Sequence, residues 1–263
     1  MTRSPDDSIT DILAIAAHRD DVEQTCGGTL LKAAQRGQKT AILDLTRGEM
    51  GTRGTAEERA NEAADAAKIL GVTWRGALDI PDTRVENTHE NRLKIARVIR
   101  MLRPQVVILP YWQARHPDHA KASPLGYEAC FLAGLKKLDL SPVSPDSLSV
   151  TVSTENRELT TDNPFRPFKI LYASLYADTR PSFVVDITAQ FEQRLRSLLA
   201  YKSQYGQQSE GASLFVPEAD IRKRMETMAR FYGLLAGVEY AEPFVQKEVG
   251  LIEDVTAIPV QSI

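Results

Sequence analysis

The sequence predicts an α/β fold, a mostly parallel sheet with helices on both faces, and three observations carry that expectation. Short apolar runs, each long enough for one buried strand, recur through the first half of the chain. Stretches of helical period alternate with them. Capping residues mark where several of the helices start and stop. Such a succession joins strands by helical crossovers, and crossovers make the strands parallel.

Taken in order, residues 11–17 form the first strand and 22–36 the first helix, whose start is marked by the N-cap residues Asp20 and Asp21. Residues 40–46 are the second strand, followed by a loop over 47–54. Thr55 caps the next helix, Glu58 completes a capping box, and Gly71 ends the helix just past Leu70. A strand over 72–78, a loop over 80–87 and an amphipathic helix over 88–102 come next. The strand at 106–110 runs directly into a histidine cluster, and a helix over 119–137 follows. Residues 138–167 are dominated by Ser, Thr, Asp, Asn and Pro and read as a variable surface excursion with a short strand at 148–152. The core resumes with strands at 169–177 and 183–187, a helix over 188–204 and another within 213–235. The tail, 239–263, reads as irregular. A single domain over 1–263 with a lid-like C-terminal helical part is the expected arrangement.

With 263 residues, 43% of them hydrophobic, the chain can bury a full core. Charged residues make up 25% with a net charge of −3, which gives no broad basic surface for nucleic acid. The opening residues are polar and acidic, unlike a signal peptide, and the first apolar run is far too short to span a bilayer. Cys26 and Cys130 both fall in expected helices and read as reduced, buried thiols, which fits a soluble cytoplasmic protein.

Three of the four histidines fall in two clusters, Ala17-His18-Arg19-Asp20-Asp21-Val22-Glu23 and Arg115-His116-Pro117-Asp118-His119. Each lies at the carboxyl end of an expected strand. In a Rossmann-like sheet ligands bind beyond those ends, so the clusters meet if their strands are neighbours. Imidazole and carboxylate hold zinc, and a catalytic zinc site needs three such ligands plus a water. His18 and Asp21, three apart across a strand-to-helix turn, can converge on one point and leave Asp20 free as a carboxylate beside the water. In the second cluster either His116 or His119 supplies the third ligand, and the other faces the substrate. Zinc lowers the pKa of its water to about 7. Asp20 would then accept a proton, and a protonated histidine would assist the oxyanion or the leaving amine. The fourth histidine, His89, reads as a solvated residue at a helix start.

These residues carry a specific resemblance. The first cluster resembles the Ala-His-Pro-Asp-Asp-x-Glu signature of the LmbE-like, or PIG-L, family of zinc deacetylases, and His116-Pro117-Asp118-His119 resembles that family's second metal motif. The stretch Asp44 to Gly54, with Glu58-Arg59 and Glu62-Ala63, is similar to the family's substrate-binding segment. Tyr201-Lys202-Ser203-Gln204-Tyr205 is similar to a segment of the bacillithiol branch, which deacetylates N-acetylglucosaminyl-malate. The resemblance implies one zinc ion on His18, Asp21 and His119, and Asp20 as general base. It also implies His116 as the imidazolium, Asp118 orienting it, Arg59 as a substrate contact and Tyr201 approaching the oxyanion from a mobile segment. A further family arginine falls near Arg166 or Lys169. A small glycoside substrate and a homo-oligomer are implied as well. Arg19 replaces the usual proline, and a side chain between ligand and base is expected to turn away from the metal.

Two other classes compete. A non-catalytic Rossmann-like sugar-binding module would favour a Gly-x-Gly-x-x-Gly loop after the first strand. None is there, and Cys26-Gly27-Gly28 suits close helix packing better. A two-metal phosphoesterase would need further carboxylate ligands and a second ion about 3.5–4 Å from the first. Another N-acetylglucosamine conjugate, of inositol or a chito-oligosaccharide, is the alternative within the deacetylase class.

Overall fold

The computed structural model describes residues 10–140, 143–154, 160–161, 163–174, 179–206 and 218–260. Strand and helix alternate through the first half: β1 (Ile12–Ala16), α1 (Asp21–Thr25), α2 (Gly27–Gln35), β2 (Thr40–Asp44), α3 (Ala56–Leu70), β3 (Trp74–Leu78), α4 (His89–Leu102), β4 (Val106–Pro110) and α5 (Pro117–Ala133). The second half adds β5 (Leu148–Ser153), β6 (Lys169–Ala173), β7 (Phe183–Asp186), α6 (Phe191–Leu198), α7 (Lys202–Tyr205), α8 (Glu218–Leu234) and β8 (Ala241–Val245).

All eight strands form one sheet in the order β5-β3-β2-β1-β4-β6-β8-β7. The central pairings, β3 with β2, β2 with β1, β1 with β4 and β4 with β6, are parallel. The chain winds from β1 through β2 to β3 on one side, then returns to lay β4 on the other side of β1. The crevice beyond the carboxyl ends of β1 and β4 is therefore the switch point at which such sheets bind ligands. Both histidine clusters open from it.

Burial on both faces explains the apolar strands. Leu13 and Ile15 of β1 face one core, with α4 and α5, and Ala14 and Ala16 face the other, with α1 and α2. The joints follow the capping chemistry. The Glu58 N–H donates to Thr55 Oγ1 at 3.1 Å, the Thr55 N–H donates to Glu58 Oε2 at 2.7 Å, and Gly71 ends α3 at φ 69°.

Several expectations need correction. The helix over 22–36 is two helices broken at Cys26, because α2 begins a fresh N-terminus with its own anionic cap. The N–H groups of Gly28 and Thr29 donate to Glu242 Oε1 and Oε2 at 2.8 and 2.7 Å. Arg194 pairs with the same carboxylate at 2.9 Å. A side chain at Gly28 would come within 3.0 Å of Glu242 and Ile187, which is the close packing that glycine permits there. Glu242 belongs to β8, so the tail expected to be irregular instead carries a strand between β6 and β7. Pro243 obscured it; the register with β6 covers only Val245 and Phe244, and Pro243 pairs with β7 alone.

The helix over 188–204 also divides, giving a short 3-10 turn, α6 and α7. The strand at 148–152 is β5, antiparallel on β3 at the sheet edge. The helix expected at 119–137 runs earlier, from Pro117 at its first turn. Parts of the 138–167 excursion, the end of the strand drawn to 177, residues 213–217 and both termini lie outside the described residues. Cys26 and Cys130 are buried free thiols. Among the described residues no helix is long and apolar enough to cross a membrane.

Candidate active site

At the end of β1 the chain turns into α1, and this turn aims the first cluster. The His18 N–H donates to Asp21 Oδ2 at 2.8 Å, which ties the turn across its own mouth. Asp20 occupies the N-cap position of α1 yet makes no capping hydrogen bond, so its carboxylate is available for other work. After β4, His116 caps α5 by accepting the Asp118 N–H at its Nδ1, 3.2 Å away. That contact leaves the ring proton of a neutral His116 on Nε2.

Three donors converge in the crevice. His18 Nδ1 lies 3.2 Å from His119 Nε2, Asp21 Oδ1 lies 3.1 Å from His119 Nε2, and Asp21 Oδ2 lies 3.5 Å from His18 Nδ1. His116 flanks them, its ring centroid 4.7 Å from that of His18 and 4.9 Å from that of His119. On its other edge, His18 Nε2 faces Asp82 Oδ1 at 3.2 Å and Asp118 Oδ2 at 3.5 Å. Candidate metal-ligand sets therefore exist on both edges of the His18 ring, with His116 and His119 or with Asp82 and Asp118. The carboxylate edge is closed: Asp118 is 1% exposed and accepts the Thr83 N–H at 2.9 Å. The Nδ1 edge opens past the exposed His116. A histidine gripped by carboxylates at Nε2 carries its proton there and turns the Nδ1 lone pair outward, as metal-ligating histidines do.

The electrostatics separate the two neighbouring aspartates. Burial pushes the Asp21 carboxyl upward, but His119 and His18 outweigh it and hold the group well below the usual carboxylate range. Burial pushes Asp20 above its ordinary value and the Asp21 charge adds to this, against the pull of Arg59 and Tyr205. Burial lowers His18, yet hydrogen bonds and charge from Asp21 and Asp82 carry it up to about 11 in the metal-free site. His116 is lowered, first by burial and then by its two histidine neighbours.

Residues 13–130 match the protein family described as PIG-L, GlcNAc-PI de-N-acetylase. The diacetylchitobiose deacetylase of Thermococcus kodakarensis is 32% identical over 248 residues, which cover 90% of this chain and 83% of that protein. The chain belongs to the PIG-L (LmbE-like) family. It is an N-deacetylase, a hydrolase of amide bonds. The conserved protein TT1542 of Thermus thermophilus superposes with a TM-score of 0.75 at 40% identity, over 93% of this chain and 98% of that one. The N,N'-diacetylchitobiose deacetylase of Pyrococcus horikoshii superposes with a TM-score of 0.70 at 25% identity, over 89% of this chain and 82% of that one.

Within this PIG-L deacetylase the structure brings together His18, Asp20, Asp21, His116, Asp118 and His119, with Arg59 beside them, and departs from expectation at Tyr201 and Asp118. Tyr201 does not approach the crevice. It is fully buried, packs against Ala63 and Ala66 of α3, and its hydroxyl donates to Glu23 Oε1 at 3.2 Å. Tyr205, one turn on, is the tyrosine of this segment that reaches the first cluster: its hydroxyl donates to Asp20 Oδ2. The tyrosine signal lay in the right segment, and the break of the helix before α7 decided which tyrosine turned inward. Asp118 does not orient His116 through its carboxylate, which faces His18 instead; only its backbone N–H reaches the His116 ring. Arg59 is 5% exposed and engaged, donating to the Gly48 carbonyl at 3.0 Å and standing 3.8 Å from Asp20 Oδ1. Gly48 serves this contact doubly, with φ 70° and no room for a side chain, since a Cβ would lie 2.2 Å from the guanidinium.

Asp82 escaped sequence reasoning altogether, being one aspartate in a loop without cluster or period. Arg166 stacks on Phe131, 4.3 Å from the ring, and Lys169 opens β6 at the end of the sheet away from the crevice, so neither reaches the site. Arg19 turns away from the metal ligands, as expected, and donates to the Ala56 carbonyl at 2.8 Å. His89 begins α4 and is exposed.

Beneath the site a buried ion network fixes α1 to the sheet. Arg75 Nε and Nη2 donate to the two Asp44 oxygens at 2.9 and 3.0 Å, and Nη1 donates to Glu23 at 2.6 Å. Glu23 is two residues from Asp21, so the network sets the pose of the helix that carries both aspartates.

Proposed function

We propose that this deacetylase removes the N-acetyl group of an N-acetylglucosamine conjugate at a mononuclear metal centre held by His18, Asp21 and His119. The observation that carries this reading is the convergence of His18 Nδ1, His119 Nε2 and Asp21 within 3.1–3.5 Å of one another on the open edge of the crevice. Two imidazole nitrogens at that distance repel through their lone pairs unless a proton or a cation lies between them. Two nitrogens, a carboxylate and an open side are the donor set of a catalytic zinc site.

His18, Asp21 and His119 would hold a cation, zinc in our reading, which when bound would supply an acidified water and polarise the acetamide carbonyl. Asp20 would accept a proton from the attacking water. Tyr205 and Gln24 hold its Oδ2 and Arg59 stands beside its Oδ1, so the base is fixed before substrate arrives. The water oxygen would bond to the acetamide carbon while His116 offers Nε2–H to the carbonyl oxygen, and the leaving nitrogen would take from Asp20 the proton it had accepted as the C–N bond breaks, so acetate and a free amine are the products. Asp82 and Asp118 hold the His18 ring in its ligating pose.

For the aglycone, the segment at residues 201–205 supports the malate conjugate of bacillithiol biosynthesis. The Thermococcus kodakarensis relative, 32% identical over nine-tenths of this chain, supports a second reading, a chito-oligosaccharide. A single domain assembling as a homo-oligomer completes the proposal, and light scattering tests the assembly. Zinc-loaded protein incubated with N-acetylglucosaminyl-malate, diacetylchitobiose and the inositol conjugate, with amine release measured, tests the activity. The malate conjugate should be turned over fastest. Preference for diacetylchitobiose moves the aglycone to the second reading, and no release from any of the three refutes the proposal.

A further inference from the structure

α7 carries Tyr205 to Asp20, yet nothing within α7 accounts for its placement. It has four residues, and no side chain caps its first turn. So short a helix does not form unless tertiary contacts hold it. Those contacts come from α3. The Ser203 N–H donates to Glu62 Oε1 at 2.6 Å, and the Ser203 hydroxyl donates to Glu62 Oε2 at 2.7 Å. Both oxygens of one carboxylate grip one residue, and such charge-assisted bonds are roughly twice as strong as neutral ones. The next residue is pinned as well: Gln204 Nε2 donates to the Arg53 carbonyl at 2.7 Å. The loop comes this close because Gly54 has no side chain; a Cβ there would lie 2.6 Å from Ser203 Oγ.

From these contacts we infer that Glu62 is a positioning residue for the deacetylation, holding Asp20 through Ser203 and Tyr205. The inference rests on the reading of Asp20 as the base. α3 is capped at both ends, by the Thr55–Glu58 box and by Gly71, which makes it a firm reference for the site. It frames Asp20 from two sides. Arg59 stands 3.8 Å from Oδ1 directly. Glu62, three residues on and so on the same face of the helix, reaches Oδ2 by way of α7. Ala63 and Ala66 pack against Tyr201 and Tyr205, and their small side chains let α7 lie close. Without the Glu62 carboxylate α7 keeps these apolar contacts but loses both bonds that fix Ser203. The Tyr205 hydroxyl, two residues further, then no longer holds Asp20 in place, and a misplacement of about 1 Å can cost 10²-fold in rate.

The test compares Glu62→Ala, Ser203→Ala and Tyr205→Phe with the double variant Glu62→Ala/Tyr205→Phe, all zinc-loaded. Glu62→Ala should lower kcat by about tenfold, with KM and zinc content within about twofold of wild type. Ser203→Ala loses the hydroxyl bond, keeps the N–H bond and should lose less. In the Tyr205→Phe background Glu62→Ala should cost less than about twofold, because the contact it serves is already gone. A loss caused by the Glu62 charge alone, or by a weakened fold, would persist there, so an equal loss in both backgrounds overturns the inference. The fluorine resonance of 3-fluorotyrosine in place of Tyr205 gives a readout without turnover. It should shift or broaden in Glu62→Ala, and an unmoved resonance overturns the inference. Normal kcat in Glu62→Ala beside an impaired Tyr205→Phe overturns it while leaving the base reading intact. Normal kcat in Asp20→Asn overturns both.

Discussion

Asp82→Ala is a perturbation that nothing but the three-dimensional structure suggests. Its Oδ1 lies 3.2 Å from His18 Nε2, on the edge of the ring opposite the converging donors. Losing such a partner typically costs 10–100-fold in metal affinity, because the ring loses both its orientation and part of its basicity. Here Asp118 stays behind at 3.5 Å and is already anchored by the Thr83 N–H. The single variant therefore belongs near the low end, about tenfold, or roughly 1.4 kcal/mol. Removing both carboxylates should bring the loss to about 10²-fold. Asp82 Oδ2 also accepts the Met50 N–H at 3.2 Å, so a control is needed, and Asp82→Asn keeps an acceptor for the loop. Competition against a chromophoric chelator measures zinc affinity in all four proteins. Affinity unchanged within twofold in both Asp82→Ala and the double variant would refute the argument that His18 is oriented from that edge.

Tyr205→Phe removes the hydroxyl held on Asp20 without touching a metal donor. It should lower kcat by about 10–100-fold, the worth of a hydrogen bond to a charged group, with zinc content and KM little changed. Arg75→Met leaves Asp44 and Glu23 buried without their cation. It should cost about 3–5 kcal/mol in urea unfolding, and a loss below 1 kcal/mol would show the network to be dispensable. In the metal-free protein, Asp21 and Asp82 raise His18 to about 11 against the effect of burial, above its ordinary 6.5. A folded value above the unfolded one gives stability that is fully present below about pH 6.5 and lost as pH climbs toward 11. The Tm of metal-free protein should fall from pH 7 to 10.5, and a rise over that window contradicts the pairing. Because the metal must displace this proton, zinc affinity should grow about tenfold per pH unit near neutrality.

Much of the centre of the molecule was legible because its signals are local and redundant. The Thr55–Glu58 capping box, Gly71 and the apolar runs of β1, β2 and β4 each announce an element by its own chemistry. The two histidine clusters stood out because strand ends bring them together whenever β1 and β4 are neighbours, while the choice of His119 over His116 as a ligand rested on the family resemblance alone. What could not be read depends on contacts far apart in sequence. Glu242 caps a helix that begins over two hundred residues earlier, so neither the break at Cys26 nor β8 had a local signature. Asp82 matters only through His18. The choice between Tyr201 and Tyr205 turned on where a helix breaks, and helix boundaries are among the least certain features that period and propensity provide.

The central claim is that two adjacent aspartates divide the labour, Asp21 binding the metal and Asp20 moving the proton. Zinc content and amine release measured side by side on Asp21→Ala and Asp20→Asn test it most directly. Asp21→Ala should lose both metal and activity, since it removes one of three protein donors. Asp20→Asn should retain zinc while kcat falls by about 10²–10⁴-fold, the usual worth of a general base. If Asp20→Asn turns over at near the wild-type rate, or if Asp21→Ala keeps its zinc, that division of labour is wrong.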